Sequence, residues 1–263
     1  GKPVKMRGVN RHSSNVNGYV ETLNDILKDL KIMREHNVNA IRTSHYMPHA
    51  YLPKLCDRWG LYLILECDIE THGDVMTTDK FLAEKWCRIS SNKNYEAAYL
   101  DRMHNMYERD KSRASVIIWS LGNEAGYGDA FTDARALIRS LDPRPVQYAD
   151  MNAAAAFDTQ TYPDCQWLLD YVAGTAVRKG EHGEATSLRQ HGPQPSDKPF
   201  FMNEYAHAMG NSTGNLADYW RVIESNPCLI GGFVWEWCDH AIYAGITEEG
   251  KPIYRYGGDS GEF

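Results

Sequence analysis

Two glutamates close apolar runs in this sequence. Glu124 ends "VIIWSLGNE" and Glu204 ends "PFFMNE", each directly after an asparagine, Asn123 and Asn203. A carboxylate at the tip of a buried run gains nothing from packing, so its position points to chemistry. Two carboxyls facing each other across a bond can cleave an acetal. At a separation of about 5–5.5 Å one acts as nucleophile and the other as acid and then base, with retention of configuration at a sugar carbon.

Other polar residues end similar runs. "DIETHG" sets Glu70 and His72 two apart, which on an extended segment puts both on one side, where they could share a metal. Ligand type alone suggests Zn2+ or Mn2+ as readily as Mg2+, and a hydrogen-bonded pair without metal equally. "FVWEWCDH" offers Trp235, whose indole suits the C–H face of a sugar, beside Glu236; one of Trp235 and Trp237 is expected in the core instead. His45 in "RTSHY" and His207 in "NEYAHAMGN" either donate to hydroxyls or satisfy neighbouring carboxylates. Arg11, His12, Arg42, Asp68 and Tyr162 complete the set of strand-end polar groups.

The elements that must hold these residues read as an alternation. Short β-rich apolar runs occur at 4–10, 39–45, 61–70, 115–124, 145–151, 156–162, 199–205 and 231–237. Near-continuous hydrophobic strands belong to parallel sheets covered on both faces. Between them, Leu23, Ile26, Leu27, Leu30 and Met33 fall at helical spacing behind a Thr22–Asp25 capping box; Phe131, Leu137, Ile138 and Leu141, and then Leu216, Trp220 and Ile223, repeat the pattern. Eight strands alternating with helices predict an α/β fold, a (β/α)8 TIM barrel, with its site at the carboxyl ends of the strands. Residues 163–198 read as a long loop around a short helix, of a length that often forms a lid. After the eighth strand a hairpin turning at "EEGK" is expected and no complete final helix.

A chain of 263 residues suits one such barrel, since these reach about 250 residues as a single unit. With 43% hydrophobic and 24% charged residues it has ample material for a core. A net charge of −7 supplies no basic field for a nucleic acid, so no nucleic-acid partner is expected and an uncharged substrate fits better. No run approaches the ~20 apolar residues of a membrane helix, and no membrane partner is expected. The six cysteines have no metal-finger spacing and read as reduced, mostly structural thiols. The sequence opens on Gly1, as a piece of a longer protein would, so its start carries no information on targeting.

The motifs "GVNRH", "IRTSHY", "CDRWGLYLILECDIETHG", "SVIIWSLGNEAGYG", "FMNEYAHAMGN", "GGFVWEWCDH" and "YGGD" resemble, in order and spacing, the catalytic barrel of the β-galactosidases of glycoside hydrolase family 2. The resemblance covers nearly the whole chain. It implies a retaining hydrolase that removes terminal non-reducing β-D-galactose from β-galactosides through a covalent glycosyl-enzyme, with Glu204 as nucleophile and Glu124 as acid/base. It further implies that Glu70, His72 and Glu124 hold Mg2+, and that Asn123 contacts the sugar 2-hydroxyl. Tyr162 would sit beside the nucleophile, and His45, His207 and Trp235 would line the sugar site with His12 and Arg42 in support.

Some positions depart from the family pattern. Many relatives follow "NRH" with further histidines where this chain has Ser13, Ser14 and Asn15, so His12 alone is carried over, and Arg113 and Ala114 replace the first two residues of an H-P-S before the fourth strand. The resemblance implies flanking β-sandwich domains, a homo-oligomeric parent and, in the longer enzyme, a Na+ site. Residues 1–263 are accordingly expected to be one barrel domain excised from a larger multidomain enzyme, with weak activity or none when alone. The competing expectations are a family relative acting on β-glucuronides or β-mannosides and an inactive sugar-binding fragment. A metal-dependent barrel hydrolase would want an H-x-H pair on the first strand, which "NRHSSN" lacks.

Overall fold

The computed structural model describes residues 2–75, 85–177, 195–210 and 212–256. Among the described residues ten strands form: β1 (Met6–Arg11), β2 (Ala40–Thr43), β3 (Tyr62–Glu66), β4 (Val116–Ser120), β5 (Val146–Gln147), β6 (Asp158–Thr161), β7 (Phe200–Tyr205), β8 (Leu229–Trp237), β9 (Ile242–Ile246) and β10 (Pro252–Arg255). The helices are α1 (Leu23–Glu35), α2 (Tyr51–Trp59), α3 (His72–Val75), α4 (Lys93–Asp110), α5 (Asp129–Leu141), α6 (Cys165–Val172) and α7 (Leu216–Ser225). Strands β1 to β8 pair in parallel in the order β5-β4-β3-β2-β1-β8-β7-β6, with helices between them, which is the (β/α)8 TIM barrel. Strands β9 and β10 form the expected hairpin, closed by Thr247 N–H donating to Lys251 O at 2.8 Å. No described helix is long and apolar enough to cross a membrane, and all six cysteines are free.

Alternation along the strands makes the interior two-toned. Met6, Ala40, Ile64, Ile118, Phe201 and Phe233 pack together as an apolar layer across six strands. Two residues further along, on the same side of each strand, stand Arg42, Glu66, Ser120 and Trp235, and Gly8 leads on to Asn10. The lower layer therefore plugs the barrel and the upper layer carries polar groups. Gly8 is required at its level because a Cβ there would lie 2.3 Å from the Phe233 ring.

The outer faces bury against helices. Ile26, Leu30 and Met33 of α1, Met103 and Met106 of α4, and Phe131, Ala134 and Ile138 of α5 join Ile41, Leu63, Leu65 and Trp119 in one core. The capping box forms as the sequence predicts, with Thr22 N donating to Asp25 Oδ2 at 2.7 Å and Asp25 N to Thr22 Oγ1 at 3.3 Å. Leu23, Leu141 and Leu216, expected on buried stripes, are exposed. Each is the first or last residue of its helix.

Three strands are shorter than the apolar runs imply. β3 stops at Glu66 and β4 at Ser120, so Glu70, Asn123 and Glu124 stand on loops. β5 has two residues, because the chain then turns into a 3-10 segment at Ala149–Ala154. There the Asn152 amide replaces a ladder to β6, donating to Thr159 O at 2.9 Å and accepting from Thr159 N at 3.1 Å. Of the long loop expected at 163–198, α6 is formed, while 178–194 lie outside the described residues, as do Asn211 and the "GGD" at 257–259.

Candidate active site

The upper layer is organised by one cation. Arg42 has no accessible surface, and its guanidinium donates to Glu66 (Nε to Oε2 2.7 Å, Nη2 to Oε1 3.0 Å), to Glu204 Oε1 at 2.8 Å, to Asn10 Oδ1 at 3.0 Å and to Asn123 Oδ1 at 2.7 Å. Burial alone would lower the Arg42 pKa, but the charges of Glu66 and Glu204 outweigh it and raise it. Glu66, fully buried, is pushed up by burial and pulled down further by Arg42, His45 and Ser120, so it lies below the ordinary carboxyl value. An ionised Glu66 only accepts, so His45 must carry its proton on Nδ1, 2.7 Å from Glu66 Oε1. That leaves Nε2 as the free ring atom, 4.0 Å from Glu204 Oε1.

Glu204 faces this cation because β7 is bulged. Phe200 and Met202 point outward to α6 and α7, so strict alternation would send Glu204 outward too. Instead Gln160 pairs with Met202 and Thr161 with Glu204, which leaves Asn203 as the extra residue. The bulge turns Glu204 into the barrel and Tyr205 out, where its hydroxyl accepts from Trp220 Nε1 at 3.1 Å. Tyr162 completes the hold on Glu204, donating its hydroxyl to Oε2 at 2.8 Å and its backbone N–H to Glu204 O at 2.9 Å.

Glu124 is placed by loops. Asn123 N donates to Ile69 O at 2.9 Å and Thr71 N to Glu124 O at 3.3 Å, so the segments after β3 and β4 are stitched together. Gly122 permits this approach: its φ is +146°, and a Cβ would meet Ile69 O at 2.5 Å. The stitching brings Glu70, His72 and Glu124 together, with one ligand atom from each within 4.8 Å of the others and His72 Nδ1 against Glu124 Oε2. Glu70 and His72 thus converge because α3 begins at His72, and not because they alternate on a strand. Because Arg42 occupies Asn123 Oδ1, the Asn123 amide nitrogen is the end left to donate. Glu124 (φ 30°), Tyr162 (φ 49°) and Ala206 (φ 54°) hold left-handed conformations after β4, β6 and β7, strain of about 1–3 kcal/mol each of the kind that collects at working sites.

An aromatic wall stands beside Glu204. Trp235 stacks on His45 with ring centroids 5.1 Å apart and planes 9° off parallel, His12 meets both edge-on, and His207 lies 6.4 Å from Trp235 and 5.6 Å from Tyr162. Burial, with His45, His240 and Arg42 close by, pushes the His12 pKa down to about 3. A second bulge, where Val9 pairs with Val234 but Arg11 with Trp237, turns Trp237 outward into the core, leaving Trp235 at the mouth. A cavity of about 400 Å³ adjoins this wall, lined by His207, Glu236, Asp239 and His240 among others, and by neither catalytic candidate.

The family described as "Glycosyl hydrolases family 2, TIM barrel domain" matches residues 1–262. The chain belongs to glycosyl hydrolase family 2. It is 40% identical to a Staphylococcus xylosus protein named beta-galactosidase, over 100% of this chain and 26% of the relative. An Actinobacillus pleuropneumoniae protein of the same name is 38% identical over 99% of this chain and 27% of the relative. The chain thus spans about a quarter of the length of these relatives. Among solved structures, Ruminococcus gnavus beta-glucuronidase superposes with a TM-score of 0.70 at 18% identity, covering 95% of this chain and 47% of that one, a likeness of fold alone.

Within this family 2 barrel the structure gathers Glu204, Arg42, Asn123, His45, Tyr162, His12, Trp235 and His207 at one mouth, with the Glu70–His72–Glu124 cluster joined through Asn123. Arg42 acts there through Glu204 and Asn123, having no surface of its own. Two strand-end residues turn away: Arg11 pairs with Glu21 and Asp29, and Asp68 pairs with Arg102. Sequence reasoning missed Glu66, Asn10 and Ser120, whose Oγ donates to Glu66 Oε2 at 2.6 Å. The signal for Glu66 and Ser120 was a polar residue two beyond an apolar lumen position, Ile64 and Ile118, and for Asn10 its place two beyond Gly8.

Proposed function

We propose that this chain is the catalytic barrel of a retaining β-galactosidase. The carrying observation is Glu204, turned into the barrel by the β7 bulge and held through both oxygens by Arg42 and Tyr162. In the first step a Glu204 oxygen forms a bond to the anomeric carbon as the bond to the leaving oxygen breaks, and Glu124 gives its proton to that oxygen. In the second, Glu124 takes a proton from water, the water oxygen bonds to the anomeric carbon and the Glu204 ester bond breaks. The Asn123 amide nitrogen is aimed to donate to a sugar hydroxyl, His45 Nε2 offers a further contact, and Trp235 supplies an apolar face.

Glu70, His72 and Glu124 would hold Mg2+. Two carboxylates and one imidazole at an exposed loop fit it, since the open side leaves room for the waters that Mg2+ retains. When bound it would supply fixed positive charge beside the acid/base carboxyl.

Galactosides are favoured over glucuronides by the names of the more similar relatives and by charge. The cavity at the mouth is lined by Glu236 and Asp239 with no Lys or Arg among its described residues, so a uronate would meet repulsion. The test is azide rescue of two variants of the full-length protein on activated galactosides. Glu204→Ala should yield the α-galactosyl azide and Glu124→Ala the β-anomer. Identical anomers from both would remove the assigned roles, and faster turnover of glucuronides than galactosides would remove the substrate.

A further inference from the structure

A second cluster of donor atoms stands where β8 leaves the barrel. His12, Glu236 and His240 each offer a ligand atom, all within 4.8 Å of one another. The two Nε2 atoms converge on one carboxylate oxygen: His240 Nε2 lies 2.9 Å and His12 Nε2 3.8 Å from Glu236 Oε2. An ion bonded at about 2.0–2.2 Å to each donor would set such atoms roughly 3–4 Å apart, so little movement is needed. We propose that His12, Glu236 and His240 form a zinc site distinct from the Glu70–His72–Glu124 cluster.

Three features support a site over an incidental contact. His12 is already oriented, its Nδ1 lying 3.1 Å from the Tyr46 hydroxyl, the second contact that a metal-binding imidazole commonly makes. His240 Nδ1 is buried without a hydrogen-bond partner among the described residues, so its ring is not closed by a second protein contact. Glu236 and His240 border the cavity of about 400 Å³, through which an ion and its water can enter. Two imidazoles and one carboxylate select Zn2+ over Mg2+, whereas the first cluster offers one imidazole and two carboxylates. Because His12 also packs on His45 and Trp235, zinc there would take an imidazole from the sugar wall; that consequence rests on the hydrolase reading, and the binding itself does not.

The test is Zn2+ titration of the full-length protein in saturating Mg2+, with wild type, His240→Gln, Cys238→Ser and His72→Gln compared. His240→Gln should weaken zinc roughly tenfold to a hundredfold while Cys238→Ser and His72→Gln leave it unchanged. An affinity kept in His240→Gln, or lost in Cys238→Ser or His72→Gln, overturns the site. A zinc-edge anomalous map of the wild type decides without any variant: a peak bonded to both Nε2 atoms supports the site, and a peak elsewhere or none refutes it.

Discussion

Glu204 and Glu124 occupy one barrel mouth but are held in opposite ways. Glu204 belongs to a strand, is 3% exposed and is gripped by a buried guanidinium and a phenol. Glu124 belongs to a loop, is half-buried, and leans on His72 and on backbone contacts to the segment after β3. In the proposed mechanism the residue that would meet one carbon atom is built into the sheet, where packing fixes it. The residue proposed to pass a proton to the leaving group and then take one from water sits on a loop and is only half-buried. Removing the cation that grips the first should cost stability as well as chemistry, and disturbing the loop contacts of the second chemistry alone.

The largest effect is expected from Glu204→Gln in the full-length protein. It should lower kcat by roughly 10⁴-fold or more with the circular dichroism unchanged, since the amide fits the site but cannot attack. Near-normal turnover would dissolve the contrast at once. Arg42→Met comes next: it leaves Glu66 buried without its cation, which should cost about 3–5 kcal/mol in urea unfolding. Arg102→Met, which breaks the exposed pair with Asp68 on the loop side, should cost less than about 1 kcal/mol. Equal losses would mean that the two sides are not held differently.

The same contrast explains what the sequence disclosed. All eight barrel strands and helices α1, α5 and α7 were legible, because apolar runs and helical spacing are local patterns. Glu204 was legible as a strand-end carboxylate, yet its direction was not: strict alternation from Phe200 and Met202 sends it toward the helices, and only pairing with β6 reveals Asn203 as the extra residue. Glu66 was hidden as one more member of "LYLILECDIE", since a buried acid becomes conspicuous only once Arg42 is seen beside it. Glu70, His72 and Glu124 were named together only through family likeness. Their meeting depends on hydrogen bonds between two loops, which no periodicity encodes.

Tyr162→Phe probes one bond on the strand side. A hydrogen bond to a charged group is worth about 1.5–3 kcal/mol, so kcat should fall roughly tenfold to a hundredfold with little change in KM. A pure KM effect would make Tyr162 a substrate ligand. Acid sensitivity should follow the same side. Glu66 has its folded pKa lowered from 4.5, so its contribution is fully present above that value and is lost as pH falls below it through the folded pKa. Urea stability against pH should therefore decline on the acid side, and Glu66→Gln, less stable throughout, should flatten that decline. An unchanged slope in the variant would move the acid-labile group elsewhere.

His72→Gln should leave the smallest trace on the fold and a specific one on activity. His72 is half-exposed, opens a four-residue helix and lies outside the barrel core, so unfolding should shift by no more than about 0.5 kcal/mol. Glutamine keeps a donor of similar reach beside Glu124 but is a poorer metal ligand. The Mg2+ concentration for half-maximal turnover should therefore rise, while turnover at saturating Mg2+ stays near that of the wild type. A large loss of stability would show that the loop pair belongs to the scaffold after all. Loss of turnover that no Mg2+ concentration restores would mean that His72 acts on the Glu124 proton directly.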